Sequence, residues 1–469
     1  MVPVNSTDQH NATSGSHPGI RVVASVLLIV AVGWFTYRGP VRAVTPGTGT
    51  DLELIQSAAR AFARGLNPYS IVDVRSVWPS GPENAPNWRS NADLLYPPTT
   101  WAMLIPLSQF SLYSGRLIWV ALNCLSIGVV ILALLRLSGL TLGSPHGKLL
   151  TATILAFAPI HSALVLGQLS LVTLALIAAG HWARVSSRPV IAGVLFGLAT
   201  ALKPQLGLVF LAYEAFRLRW KSTLSGALAL VLIAGASIGW MEYSHVVWGP
   251  ALAQNVHDFI HIAGGDPTIA NPMRYQLINL HYPLHSIIQS RQIVTTLVWA
   301  SVGGGALAYF LIWMRRRDDR TELLTLSMAC PLALLLVYHR VYDAVMLLLP
   351  VAWAIGMLQS ANRTETSNRR IAWLALVMTS AFLLPTSAIL HALEQRGTIP
   401  AGFVDTIVYQ LVIQPHQVWA MIGLSLMLIF ALWKQPARPP AIWNRQGEHL
   451  EQETTTDADH RTLAVGDYD

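Results

Sequence analysis

The chain has 469 residues, of which 53% are apolar and only 12% charged; a soluble domain carries about 25% charge, so a soluble globular protein is excluded. Its formal charge of +7 sits in short Lys/Arg clusters at the ends of apolar runs. That is how membrane orientation signals are distributed, and it argues against a nucleic-acid-binding face. Apolar runs of about 20 residues recur throughout, so the expected fold class is an all-α, polytopic membrane bundle and not a barrel of short alternating strands.

In chain order, residues 1–19 are polar and rich in Ser, Asn and His, and read as a disordered cytoplasmic N-terminus. Sequons at Asn5 and Asn11 would go unused there. Residues 20–37 are too long an apolar run for a signal-peptide core and read as an anchor helix, the start of a membrane domain spanning 20–433. A polar first loop, 38–96, follows. Within it Leu52, Ile55, Ala59, Phe62 and Ala63 recur at helical spacing opposite Gln56, Arg60 and Arg64, which predicts an amphipathic helix lying on the surface. Thr50 or Asp51 would cap its start, and Gly65-Leu66-Asn67-Pro68 would end it. Asp51 thus has two readings, a helix cap or a general base at the membrane surface.

Further apolar runs lie at 95–112, 114–137, 149–166, 168–183, 189–216, 222–243, 291–314, 322–337, 342–360, 371–390 and 416–433. If the basic clusters face the cytoplasm, the loops 244–290, 338–342 and 391–415 lie on the opposite face with the first loop, and both termini lie inside. The tail 434–469 reads as a disordered cytoplasmic end. Two topologies fit the first half. In one, 95–112 is re-entrant and 189–216 is a hairpin broken at Lys203-Pro204, giving ten crossings. In the other both segments cross, giving twelve. Pro97, Pro98, Pro106, Pro159 and Pro204 predict broken helices, and broken backbone at membrane depth needs protein or a water-filled cavity to satisfy it.

The polar residues at these breaks are the candidates for chemistry. Tyr96 precedes Pro97-Pro98 and serves either as an interface anchor or as a substrate contact. Gln168, after Gly167, either satisfies a helix end or hydrogen-bonds a polar substrate. Lys203 is a charge in the middle of an apolar stretch, a costly placement that marks function unless the side chain snorkels. The cluster Tyr338-His339-Arg340-Val341-Tyr342-Asp343 either grips an anionic head group or closes a turn through an Arg340–Asp343 ion pair. The histidines and aspartates of 244–290 show no metal-ligand spacing, and Cys124 and Cys330 sit singly in apolar runs. Neither a metal site nor a disulfide is expected, and no phosphate-cradling glycine loop opens a soluble nucleotide-binding unit.

In this order Asp51, Gly65-Leu66-Asn67-Pro68-Tyr69, Tyr96-Pro97-Pro98, Gly167-Gln168, Ala192-Gly193, Leu202-Lys203-Pro204 and His339-Arg340-Val341-Tyr342-Asp343 resemble glycosyltransferase family 87 over roughly 20–433. The resemblance implies a GT-C-type membrane enzyme with about 10–12 transmembrane helices. It implies an inverting transfer of a sugar, mannose foremost and arabinofuranose in some members, from a polyprenyl-phosphate donor to a glycan or glycolipid hydroxyl on the extracytoplasmic face. It implies Asp51 as the catalytic carboxylate, with Glu53 as its nearest rival, while Asp73 and Asp93 fall outside the motif. Lys203, His339 and Arg340 would stabilise the departing phosphate, and Tyr96, Gln168, Tyr342 and Asp343 would bind substrate. No metal or other cofactor is implied, and the partners are the lipid-linked donor, the acceptor and membrane lipid, with no nucleic acid. A transporter or flippase for a lipid-linked or polar solute is the competing reading; the large first loop and the lack of an internal repeat weigh against it.

Overall fold

The computed structural model describes residues 18–79, 81, 90–315, 322–360 and 366–434. Of the two ends read as disordered, 1–19 and 434–469, residues 1–17 and 435–469 lie outside the described residues, whereas Pro18 and Gly19 begin one helix and Lys434 ends another. Among those described there is no β-strand, only an antiparallel bridge between Leu277 and Arg340. Helix α1 (Pro18–Thr36) continues through a π-turn at Tyr37–Val41, and the first loop then folds as α2 (Thr50–Ala63) and α3 (Ile71–Ser76). The helices α4 (Pro98–Ser108), α5 (Leu112–Leu137), α6 (Pro145–Ala156), α7 (Ala158–Leu166), α8 (Ser170–Val185), α9 (Pro189–Leu202), α10 (Pro204–Phe216) and α11 (Trp220–Tyr243) follow. The 244–290 loop contains α12 (Trp248–Ile262) and α13 (His281–Leu284). The chain closes with α14 (Arg291–Arg315), α15 (Glu322–Leu336), α16 (Leu348–Ser360), α17 (Thr366–Ser380), α18 (Thr386–Gln395), α19 (Ala401–Val404) and α20 (His416–Lys434). Helices α4, α6, α7, α9 and α10 each open with Pro at the first or second position, where a missing N–H costs nothing. These prolines therefore mark breaks between helices, whereas Pro106, expected to break a helix, and Pro331 lie inside α4 and α15.

Among the described residues, six helices are long and apolar enough to cross a membrane, at Pro18–Val41, Leu112–Leu137, Trp220–Tyr243, Arg291–Met314, Val341–Gln359 and His416–Lys434. The pair α6 and α7, bent by 42° at Phe157, makes a seventh if counted as one span. The protein is thus a multi-pass, all-α membrane protein. The other apolar runs resolve into shorter helices, because hydropathy registers how apolar a run is but not where it breaks. Helix α4 is about 16 Å long at the ordinary helical rise, roughly half a hydrocarbon core, as a re-entrant segment requires. The 189–216 run folds back at Lys203: Gly207 lies so close to α9 that a Cβ there would come within 2.4 Å of the Thr200 backbone N.

Helices α9 and α11 pack through small residues, with Gly193 and Gly197 on one and Gly226 on the other. A Cβ on Gly193 would sit 2.0 Å from the Ser222 carbonyl, so only glycine allows this approach, the usual basis of close helix contact in lipid. The Ala192-Gly193 motif is therefore a packing device.

Helix α2 corrects the sequence expectation in two ways. It is not a surface helix: Leu52 and everything from Leu54 to Phe62 is buried, and it packs on α4. Gln56 and Arg60, expected on a polar outer face, reach inward instead. Gln56 Nε2 donates to the carbonyls of Leu107 (3.0 Å) and Phe110 (2.9 Å), and Arg60 to those of Ser108 (3.0 Å) and Phe110 (2.9 Å). The carbonyls of Leu107 and Ser108 end α4 and that of Phe110 follows it, so two polar side chains complete the helix terminus. The N-cap, secondly, is Gly49 with no side-chain cap bond, so neither Thr50 nor Asp51 caps the helix. The stop is as expected: Leu66 N donates to Ala61 O (2.9 Å) and Gly65 N to Phe62 O (3.0 Å), a Schellman ending.

Candidate active site

A cavity of about 550 Å³ opens where α2, the Asp93–Pro97 stretch before α4, α12 and the Tyr338–Asp343 segment meet. Its lining includes Asp51, Tyr96, Gln168, Lys203, Arg340, Tyr342 and Asp343, seven of the eight residues singled out from the sequence. They come from five separate stretches of the chain. The eighth, His339, is fully buried behind the cavity and reaches it only through Asp343, with Nδ1 at 3.0 Å from Oδ2.

Asp51 stands in the first turn of α2, where a negative charge is favoured by the helix dipole. Gln168 donates its amide to the Asp51 carboxylate and accepts from the Tyr96 hydroxyl at 2.9 Å. Gly167 makes this chain of bonds possible. It has φ +77°, and a Cβ there would lie 2.4 Å from Leu52 Cβ, so α2 could not approach closely enough to meet Gln168. Tyr96 is held in turn: the buried Tyr69 donates its hydroxyl to the Tyr96 carbonyl (2.9 Å), and Trp101 packs edge-on against both rings. The Asn67-Pro68-Tyr69 motif thus supports the site without touching it. Burial raises the Asp51 carboxyl above the ordinary carboxylate range, against the opposing pull of Arg340 and the Gln168 bond. Burial likewise pushes up the Tyr96 hydroxyl, with the charge of Asp51 adding to it, so Tyr96 acts as a hydrogen-bonding group and not as an ionised one.

The rival carboxylate Glu53 faces elsewhere. It is ion-paired with Arg116 and does not line the cavity. Asp93, which falls outside the sequence motif, does line it, and burial raises its carboxyl while Arg340 pulls it down.

Lys203 and Arg340 are both cations of the cavity wall but stand in opposite situations. Lys203 is 2% exposed, ion-paired with Asp343, 2.9 Å from Ser170 Oγ, and 4.9 Å over the Tyr342 ring. Ser170 Oγ donates to Asp343 Oδ1 at 2.7 Å. Asp343 therefore pairs with Lys203 and not with Arg340 as the turn-closing reading had it. At the backbone break at Lys203-Pro204 it is protein that satisfies the freed groups: Thr99 Oγ1 donates to the Ala201 carbonyl (2.6 Å) and Thr100 Oγ1 to that of Leu202 (2.9 Å). The Arg340 side chain has no hydrogen bond or ion pair among the described residues, and its buried Nε has no partner. Its guanidinium lies 5.9 Å over both Phe259 and Tyr338. Gly264 leaves room for it, since a Cβ there would lie 2.3 Å from Arg340 Nη2. The Leu277 bridge and the bond from Ile278 N to His339 O (3.1 Å) fix the backbone on either side.

Sequence reasoning passed over Ser170, Thr99, Thr100 and Tyr338 as individual site residues. A signal existed for the first three, which are small hydroxyl residues within a few positions of a helix break.

Among the described residues, His181, Glu214 and Glu322 bring three potential metal ligands within 4.8 Å of one another. They lie outside this cavity. Arg184 and Arg219 ion-pair with both carboxylates, so the charge a cation would neutralise is already balanced. The 244–290 histidines do not gather either; His257 and His261 stack on each other at the exposed side of α12.

Compared with known proteins, the chain matches the model of glycosyltransferase family 87 over residues 94–338, just over half its length. It is 26% identical over 223 residues to an alpha-(1->3)-arabinofuranosyltransferase of Corynebacterium glutamicum, covering 44% of this chain and 50% of that one. The match thus spans about half the length of that curated relative. No solved structure matches.

Proposed function

Since the chain belongs to glycosyltransferase family 87 and is a membrane glycosyltransferase, we propose that it moves a sugar from a polyprenyl-phosphate donor to a glycan or glycolipid hydroxyl, with inversion, on the extracytoplasmic face. The single observation that carries this reading is Arg340, a permanent cation without a carboxylate partner, in the same cavity as the raised carboxyl of Asp51. A guanidinium in that state matches a phosphate, which it can bind through two parallel N–H bonds. The leaving prenyl phosphate is already an anion, so its departure calls for positive charge rather than for a proton. The acceptor hydroxyl must lose its proton as it attacks, and Asp51 receives it. A carboxyl raised by burial is a stronger base than an exposed one, and Gln168 orients the oxygen that remains. Lys203, His339 and Ser170 act at one remove, by holding Asp343 and with it the segment that carries Arg340. The donor sugar is mannose or arabinofuranose; the sequence resemblance favours the first, and similarity to an arabinofuranosyltransferase supports testing the second beside it.

The test uses the full chain in proteoliposomes with radiolabelled mannosyl- and arabinofuranosyl-phosphoprenol donors and a glycolipid acceptor extract. Wild type forms a labelled glycolipid from one donor, and Arg340→Gln lowers kcat by about 10²–10³-fold, as loss of a charge-stabilising donor typically does. Uptake of label without product would identify a transporter instead.

A further inference from the structure

The chemistry proposed above gives the cavity a direction. Inverting attack places the acceptor opposite the leaving phosphate, so a base at Asp51 and a phosphate at Arg340 put the esterified lipid on the Arg340 side. What lies beside the guanidinium there is apolar. Phe259 and Tyr338 sit under it, edge to face at 4.6 Å. Val256, Phe259 and Ile260 share one face of α12 at i, i+3 and i+4, and with Val337 they line the cavity. Phe259 is 4% exposed, but Val256, Ile260 and Val337 are 38%, 39% and 38% exposed. An apolar strip therefore runs from a buried ring against an unpaired cation out to the surface. Away from this strip α12 carries the exposed His257 and the half-buried His261.

We propose that α12 and Val337 are the seat for the first isoprene units of the polyprenyl chain, with the phosphate at Arg340 as its inner end. The 244–290 segment, read from sequence as a solvated loop, thereby becomes the element that recognises the lipid half of the donor. The cation calls for an anionic head and the strip for an aliphatic chain, and a prenyl phosphate joins the two. Asn255, on α12, donates to the carbonyls of Tyr69 (3.0 Å) and Leu94 (3.3 Å), so the seat is tied to the loop that carries Asp51. The assignment rests on the donor class proposed above. A competing exit exists, a cavity of about 130 Å³ that shares Arg340 and Tyr342 and is walled by Leu166, Pro385 and Ala388.

The experiment compares kcat/KM for decaprenyl-phosphate and methyl-phosphate donors of the same sugar, in full-length enzyme whose folding is checked by size-exclusion elution. Val256→Ser/Ile260→Asn compresses the wild-type preference for the decaprenyl donor by on the order of tenfold, the loss of roughly two buried methylenes' worth of contact. Ile260→Leu, which stays apolar, retains the preference. An unchanged ratio in the double variant overturns the seat, as does compression by Ala388→Phe alone, which would route the chain through the smaller cavity. Wild-type enzyme that transfers from neither donor sinks the donor reading itself, a result distinct from either.

Discussion

Replacing Asp51 by Asn separates catalysis from structure in this cavity. The Asn side chain retains an oxygen to accept the Gln168 amide, and since Asp51 is not the helix cap, no capping bond is lost. What disappears is the proton acceptor, a loss of about 10²–10⁴-fold in kcat, or about 3–5 kcal/mol in the barrier. The stability effect has the opposite sign. Burial raises the folded-state pKa of Asp51 above its unfolded value. The folded protein then holds the proton more tightly than the unfolded chain, so ionised Asp51 detracts from stability once the pH exceeds the ordinary carboxylate range. Asn carries no such cost, so the variant melts at or above the wild-type temperature at neutral pH, and the gap closes as the pH falls below that range. The assay is transfer from the prenyl-phosphate donor as a function of pH, with thermal unfolding in detergent beside it. Wild-type kcat rises with pH along a limb whose midpoint lies above ordinary carboxylates, and the limb is absent from the residual activity of Asp51→Asn. Turnover within tenfold of wild type, or the same limb surviving in the variant, would refute the assignment of Asp51 as base.

Lys203→Met leaves Asp343 buried with its cation gone and lowers stability by about 3–5 kcal/mol, of which adding Asp343→Asn restores most; a single variant as heat-stable as wild type would show the pair to be solvated. Thr100→Val strands the Leu202 carbonyl at the α9–α10 break and costs about 1–3 kcal/mol, read as a lowered unfolding temperature together with reduced transfer. Glu53→Gln removes a partly exposed ion pair with Arg116, shifts stability by less than about 1 kcal/mol, and keeps transfer; collapse of transfer to the Asp51→Asn level would restore Glu53 as a rival base.

By itself the sequence determined the class of structure and most of the places where it breaks. A helix in lipid satisfies its own backbone, so long apolar runs predict all-α spans whatever their neighbours do. Pro and Gly act on the chain locally, which is why the stop at Gly65 and the breaks at Pro159 and Lys203-Pro204 could be read before any contact was known, whereas the fold-back at Lys203 was one of two readings. The polar residues left beside those breaks were found for the same reason. Their state of pairing was not legible, because a charge's partner is set by distance in space. Lys203 and Arg340 looked alike as phosphate ligands; only the folded chain brings Asp343 and Ser170 to Lys203 and leaves Arg340 without a partner. The same holds for α2. Its amphipathic pattern is equally good for lying on a surface and for burial, and what decides is whether polar partners exist on the other side. The open carbonyls at the end of α4 supply them to Gln56 and Arg60. Tertiary structure also set aside the cap reading of Asp51, since a cap bond and a cavity-facing carboxylate differ only in where the side chain points, and Gly167 lets α2 approach closely enough for that carboxylate to meet Gln168.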